Sequence, residues 1–163
     1  MNKVCCITGH TTGLGKFLYD YFINQGWTVV GFSRSSGFNI EQDPVKVANL
    51  IQGCELFINN AYAHGAQLDL INLTVGHVKK MVVCGSVAAD YPDPAMVEYS
   101  QHKKIIEDRC NALSDVKINN TDILLLKLTS SSYKDYLTVS STINFWLDNP
   151  SITQIKFNVK EII

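Results

Sequence analysis

Residues 7–18 read ITGHTTGLGKFL, a glycine-rich run that ends near a lysine. Runs of this kind hold phosphate on backbone N–H groups, either the tail of a nucleoside triphosphate or the bridge of a dinucleotide. The triphosphate loop requires G-x-x-x-x-G-K followed by Ser or Thr, whose hydroxyl reaches a magnesium ion. Here Gly9 lies one residue too far from Gly15, and Lys16 is followed by Phe17. The residues instead fit T-G-x-x-x-G-x-G through Thr8, Gly9, Gly13 and Gly15. Placed between a strand and a helix, this turn lets the backbone from Gly9 through Thr11, Thr12, Gly13, Leu14 and Gly15 approach a pyrophosphate. The positive end of the helix dipole then faces the anion. A second pattern, Tyr99-Ser-Gln-His-Lys103, sets a phenol and an ammonium four residues apart, on one face of a helix. A phenol with its ordinary pKa near ~10 is a poor base at neutral pH, and a neighbouring ammonium favours the phenolate.

The elements that must position these groups are legible in the apolar pattern. Strand-length runs are expected at 3–8, 28–33, 55–59, 80–85, 123–128 and 154–159. Their cores (VVGF, LFI, MVVC, ILLL) are continuous, as in a parallel sheet covered on both faces. Leu14, Phe17, Leu18, Tyr21 and Phe22 follow a helical period, and Gly26 ends that helix. Asp43–Pro44 is an N-cap with a first-turn proline, opening a helix that ends near Gly53. Further helices are expected over about 66–74, 95–113 and 136–147. On the second of these Ile106, Cys110 and Leu113 continue the face of Tyr99 and Lys103 and press it onto the sheet. Strand–helix alternation of this kind predicts an α/β fold, a Rossmann-like doubly wound parallel sheet of about six strands with helices on both faces. Residues 1–163 are expected to form a single domain.

The bulk properties exclude other classes. A net charge of −1 argues against nucleic-acid or membrane-surface partners, and no apolar run reaches spanning length. The five cysteines form no CxxC pair, and Cys5, Cys6 and Cys84 fall in strand-like runs. They are read as reduced, buried thiols of a cytoplasmic protein. The four histidines are scattered without metal-ligand spacing, and no metal site is expected.

In order along the chain, four segments carry a resemblance to the short-chain dehydrogenases/reductases, in their non-extended branch. They are the glycine turn, Asn59–Asn60–Ala61 like the start of an Asn-Asn-Ala-Gly motif, Ser86 after MVVCG, and Tyr99-x-x-x-Lys103 thirteen residues beyond that serine. The resemblance implies a nicotinamide-dependent oxidoreductase acting on a small carbonyl or alcohol, with no nucleic-acid or membrane partner and with homodimer or homotetramer assembly. Tyr99 would be the general acid/base, Lys103 its pKa tuner and a ribose ligand, and Ser86 a hydrogen-bond donor to the substrate oxygen. Asn60 and Ala61 would contact the coenzyme, and Asn39–Ile40 occupies the place beside the adenine. An acid about twenty residues beyond the glycine loop would select NAD; the strand instead ends Gly31-Phe32-Ser33-Arg34. Arg34, helped by Thr11 and Ser33, would hold a 2′-phosphate, so NADP(H) is expected ahead of NAD(H).

The chain also departs from that family. It is much shorter, with no room between Arg34 and Asn39 for the usual second helix and only a stub of the third strand. Tyr62 stands where the motif has glycine, Asn72 lies too close to Ser86 to be the relay asparagine, and Thr129–Ser132 stands where a substrate lid normally follows. Two functions therefore stay open: an NADP-dependent reductase, or an NADP(H)-binding protein with little or no turnover.

Overall fold

The computed structural model describes residues 3–91, 94–115, 120–129 and 135–157. Six parallel strands, β1 (Val4–Thr8), β2 (Thr28–Phe32), β3 (Leu56–Asn59), β4 (Lys80–Ser86), β5 (Asp122–Leu128) and β6 (Gln154–Lys156), form one sheet in the order β2-β1-β3-β4-β5-β6. Five helices connect them: α1 (Gly13–Asn24), α2 (Pro44–Ile51), α3 (Ala66–Thr74), α4 (Val97–Asp115) and α5 (Tyr136–Asp148). The architecture is the expected Rossmann-like α/β sheet with helices on both faces.

Alternation along the strands sorts the core into two layers. Cys6, Phe57, Met81, Val83 and Leu125 meet Val47, Ile51, Leu70, Ile71, Ile106 and Cys110 from α2, α3 and α4. Cys5, Ile7, Ile58, Val82, Leu124 and Leu126 meet Leu14, Leu18, Phe22, Val139, Ile143 and Trp146 from α1 and α5. Fully burying an aliphatic or aromatic side chain of this kind is worth roughly 1.5–3 kcal/mol. The fully buried Trp146 satisfies its indole N–H by donating to the Ile152 carbonyl at 2.8 Å.

Helix ends follow the local chemistry. The Asp43 carboxylate accepts from the Lys46 N–H at 2.9 Å, with Pro44 at the first helical position of α2. Between β2 and β3 the described residues contain no strand. The chain instead turns through a short 3₁₀ segment, Arg34–Ser36, closed by reciprocal Ser33–Ser36 hydrogen bonds.

Two expectations need correction. The run VVGF was expected to be covered on both faces, but β2 lies at the sheet edge and Thr28 and Val30 are exposed. A continuous apolar run fixes strand type, but position in the sheet comes from pairing with distant strands. The last strand was expected over 154–159 and ends at Lys156; positions 158–159 lie outside the described residues. All five cysteines are buried free thiols, and burial pushes those of Cys84 and Cys110 up to about 12, so they pack as small apolar groups.

Candidate active site

The strand order reverses between β1 and β3, and at such a switch point the carboxyl ends of the strands open a crevice. The glycine turn fills the start of that crevice. Gly9 adopts φ +72°, donates to the Phe32 carbonyl at 2.7 Å, and leaves room for Asn60 and Ala61 where a Cβ would press at 3.1–3.2 Å. Gly15 is more tightly constrained, since a Cβ there would lie 2.1 Å from the Gly9 carbonyl oxygen and 2.7 Å from Asn60 Nδ2. The Thr8 hydroxyl accepts from the N–H groups of Asn60 and Ala61, both at 3.0 Å, and Asn60 Nδ2 donates to the Thr8 carbonyl at 3.1 Å. Asn60 thus braces the turn from behind.

At the mouth of this turn the amino end of α1 is bare. Its cap residue, Thr12, makes no side-chain cap hydrogen bond, and no acid lies in the first turn. In α2 and α5, by contrast, Asp43 and Asp135 occupy the cap and accept from N–H groups of the first turn. The first-turn N–H groups of α1 and the local dipole suit an anion.

A cleft of about 550 Å³ extends from this point, lined by Gly9, Thr11, Thr12, Ser33, Arg34, Asn39, Ile40 and Ala61 together with Tyr62 and His64. Of the expected coenzyme contacts, Gly13, Leu14, Gly15, Asn60, Tyr99 and Lys103 do not line it; the first four form the turn and its support. The exposed guanidinium of Arg34 makes no hydrogen bond or ion pair among the described residues. The Ser33 hydroxyl is already engaged in the turn, accepting from the Ser36 N–H at 3.2 Å.

The other group of expected residues gathers around α4. Ser86 closes β4, is 8% exposed, and its Oγ accepts from the Ala88 N–H at 3.1 Å. Lys103 is 1% exposed, and its ammonium donates to Gln67 Oε1 at 2.8 Å and to the Cys84 carbonyl at 2.9 Å. Burial away from water lowers its pKa to about 8. The ammonium lies 5.6 Å from the centre of the Tyr99 ring and 5.2 Å from that of Tyr62. The Tyr99 hydroxyl has no hydrogen-bond partner among the described residues, whereas the Tyr62 hydroxyl meets His102 Nδ1 at 3.0 Å. Tyr62 stands edge-on to Tyr99 with ring centres 4.9 Å apart, so the pair roofs the ammonium.

No protein-family model and no curated protein matches the sequence; similarity to solved structures is extensive. An oxidoreductase of the short-chain dehydrogenase/reductase family from Brucella ovis, in complex with a partially ordered NAD, superposes with a TM-score of 0.73 at 16% identity. That match covers 97% of this chain and 100% of the other. The bulky-bulky ketone specific alcohol dehydrogenase from Comamonas testosteroni gives 0.76 at 14% identity, over 98% and 88% of the two chains. An NADH-dependent reductase, A1-R′, complexed with NAD, gives 0.78 at 15% identity over 99% and 97%. This chain has the short-chain dehydrogenase/reductase fold.

Within that fold, the side chain that sequence reasoning missed is Gln67. It is fully buried, and its Nε2 donates to the carbonyls of Asn59 (2.9 Å) and Cys84 (3.1 Å) while its Oε1 accepts a hydrogen bond from Lys103 Nζ. Asn59 Nδ2 returns a bond to the Gln67 carbonyl at 2.8 Å. The signal was present in the helical period: Gln67 shares the i, i+3, i+4, i+7 face of α3 with the buried Leu70, Ile71 and Thr74. A lone amide on such a face requires partners. Asn72 instead accepts from the Arg109 Nε at 2.7 Å in an exposed contact. Most of the Thr129–Ser132 segment, to which the missing lid was referred, lies outside the described residues.

Proposed function

We propose that this chain is a nicotinamide-dependent oxidoreductase of the short-chain dehydrogenase/reductase family, a single dinucleotide-binding domain acting on a small carbonyl or alcohol, with NADP(H) preferred over NAD(H). The observation that carries the proposal is the buried Lys103 ammonium beneath the Tyr99 ring, at the carboxyl edge of the same sheet that opens into the glycine-turn cleft. The cleft suits the coenzyme chemically: an uncapped helix start for the pyrophosphate, a close-packed turn of glycines, and an arginine among the lining residues. The similar structures, which include NAD complexes and an alcohol dehydrogenase, support the same class.

In this proposal the bound coenzyme supplies or accepts the hydride. Tyr99 Oη gives a proton to the substrate oxygen in reduction and takes it back in oxidation. Lys103 lowers the cost of the phenolate through its charge, and Gln67 holds that charge in place by anchoring the ammonium from the sheet side. The Ser86 hydroxyl donates to the developing oxyanion. Arg34 reads the 2′-phosphate, with Thr11 also in the cleft wall.

A second reading rests on Tyr62. Its ring covers Lys103 and Tyr99 from the side of the cleft, at the position where the resembled motif has glycine. A coenzyme-binding protein with little turnover would tolerate such a cover better than an enzyme. Oxidation of NADPH across a carbonyl panel separates the two. The enzyme reading predicts turnover that falls at least about a hundredfold in Tyr99→Phe with coenzyme affinity retained. Tight NADPH binding with no turnover on any carbonyl favours the binding protein, and turnover unchanged in Tyr99→Phe removes the proposed proton donor.

A further inference from the structure

Strand β5 reads DILLLKL, and all of its residues except Asp122 are buried, including Lys127 at 2% exposed. A lysine in such a strand requires a partner for its charge, and this one has two carboxylates. Its Nζ pairs with Asp90 Oδ1 and lies 2.7 Å from Glu107 Oε2, while the second Asp90 oxygen takes Lys156 Nζ of β6 at 2.7 Å. Two acids and two bases form a neutral quartet that touches none of the groups assigned above to proton transfer. Lys127 first, then Lys156, holds the Asp90 carboxyl below its ordinary range.

The placement of the four residues gives the cluster a purpose. Asp90 ends the turn that begins at Ser86, since the segment Val87–Ala89 is a 3₁₀ turn capped by Ser86 Oγ at one end and by Asp90 at the other. Inside that turn the hydrogen bonds are local, Ala88 N–H to Ser86 Oγ and the N–H groups of Asp90 and Tyr91 to the Val87 carbonyl. Glu107 lies one helical turn beyond Lys103 on α4, on the same face. Lys127 itself is in register with Gly85, the residue before Ser86. One buried ammonium therefore ties the turn that follows Ser86 to the helix that carries Tyr99 and Lys103, with the sheet as the common base. Apolar contacts alone allow a turn to slide over a helix, whereas an ion pair buried with short reach fixes one arrangement.

We propose that Lys127, with Asp90 and Glu107, is a positioning clamp that sets Ser86 against Tyr99 and Lys103. The proposal rests on the oxidoreductase reading for its consequence in catalysis, but the clamp itself can be tested without turnover. Removing Lys127 alone would strand a buried carboxylate, so the informative variant is the double substitution Lys127→Met with Glu107→Gln, compared with Lys127→Arg. Hydrogen exchange is measured on residues 86–91 and, as an internal control, on the glycine turn at 9–15. Coenzyme affinity and steady-state rates are measured on the same samples. The clamp predicts that the folded double variant exchanges at least about tenfold faster over 86–91 with 9–15 unchanged. It also predicts that kcat falls about tenfold or more while NADPH affinity stays within twofold, and that Lys127→Arg restores part of both. Unchanged exchange over 86–91 in the folded double variant overturns the clamp, as does a loss of rate that only follows weakened coenzyme binding. If the wild type binds coenzyme but turns nothing over, the oxidoreductase reading fails and the exchange result alone decides the clamp.

Discussion

At the scale of single residues, the groups with perturbed chemistry are those that the fold removes from water. Lys103 combines full burial with two hydrogen-bond acceptors, and desolvation still wins, lowering its pKa from 10.5 to about 8. The folded state therefore binds fewer protons than the unfolded state between those values. The burial cost is fully present below about pH 8 and is relieved as the pH rises to 10.5. Relative to Lys103→Met, the wild type should gain up to about 3 kcal/mol of unfolding free energy across that window. Denaturant titrations of both proteins check this, and a constant difference would contradict it. Arg34 makes a second residue-scale prediction. Because the described residues give its guanidinium no partner, Arg34→Ala should weaken NADPH binding at least tenfold (about 1.4 kcal/mol) and spare NADH. Equal losses for the two coenzymes would show that Arg34 does not read the phosphate. The Tyr99–Lys103 spacing was legible because helical geometry converts a sequence interval into a shared face. Gln67 and Lys127 were overlooked although each is a polar residue set in an apolar face or strand. Their partners are 36 and 37 residues away, at Lys103 and Asp90, and no local pattern names them.

At the scale of elements, the turn between β1 and α1 is the most constrained. A Cβ at Gly15 would meet the Gly9 carbonyl at 2.1 Å, a distance that rigid backbone cannot relieve by moving a side chain. Gly15→Ala should therefore displace the turn, lowering stability by about 2–4 kcal/mol and removing coenzyme binding. A thermal scan beside a coenzyme titration checks both, and a variant that binds normally would mean that the turn does not hold the pyrophosphate. This element was readable because its glycines fall between a strand-length apolar run and a helical period, where a tight turn is required. Helix boundaries were readable for similar reasons, the Asp43–Pro44 start of α2 and the Gly26 stop after α1 being local signals. The exposed face of β2 was not readable, since an edge strand and a central one can share the run VVGF and only pairing with β1 alone distinguishes them.

For the whole molecule, class and approximate element count followed from strand–helix alternation, because a parallel sheet covered on both faces demands continuous apolar strands. The order β2-β1-β3-β4-β5-β6 required the structure. So did the meeting of the glycine turn, Arg34, Tyr62, Tyr99 and Lys103 along one carboxyl edge, since those residues are brought together by three crossovers. The proposed oxidoreductase chemistry requires that edge to hold a nicotinamide coenzyme. Calorimetric titration of NADPH into the folded wild type, Tyr99→Phe and Gly15→Ala tests it most directly. One-to-one binding is predicted for the first two and none for the third. Absence of heat with the well-folded wild type, or binding that Gly15→Ala leaves intact, would contradict it.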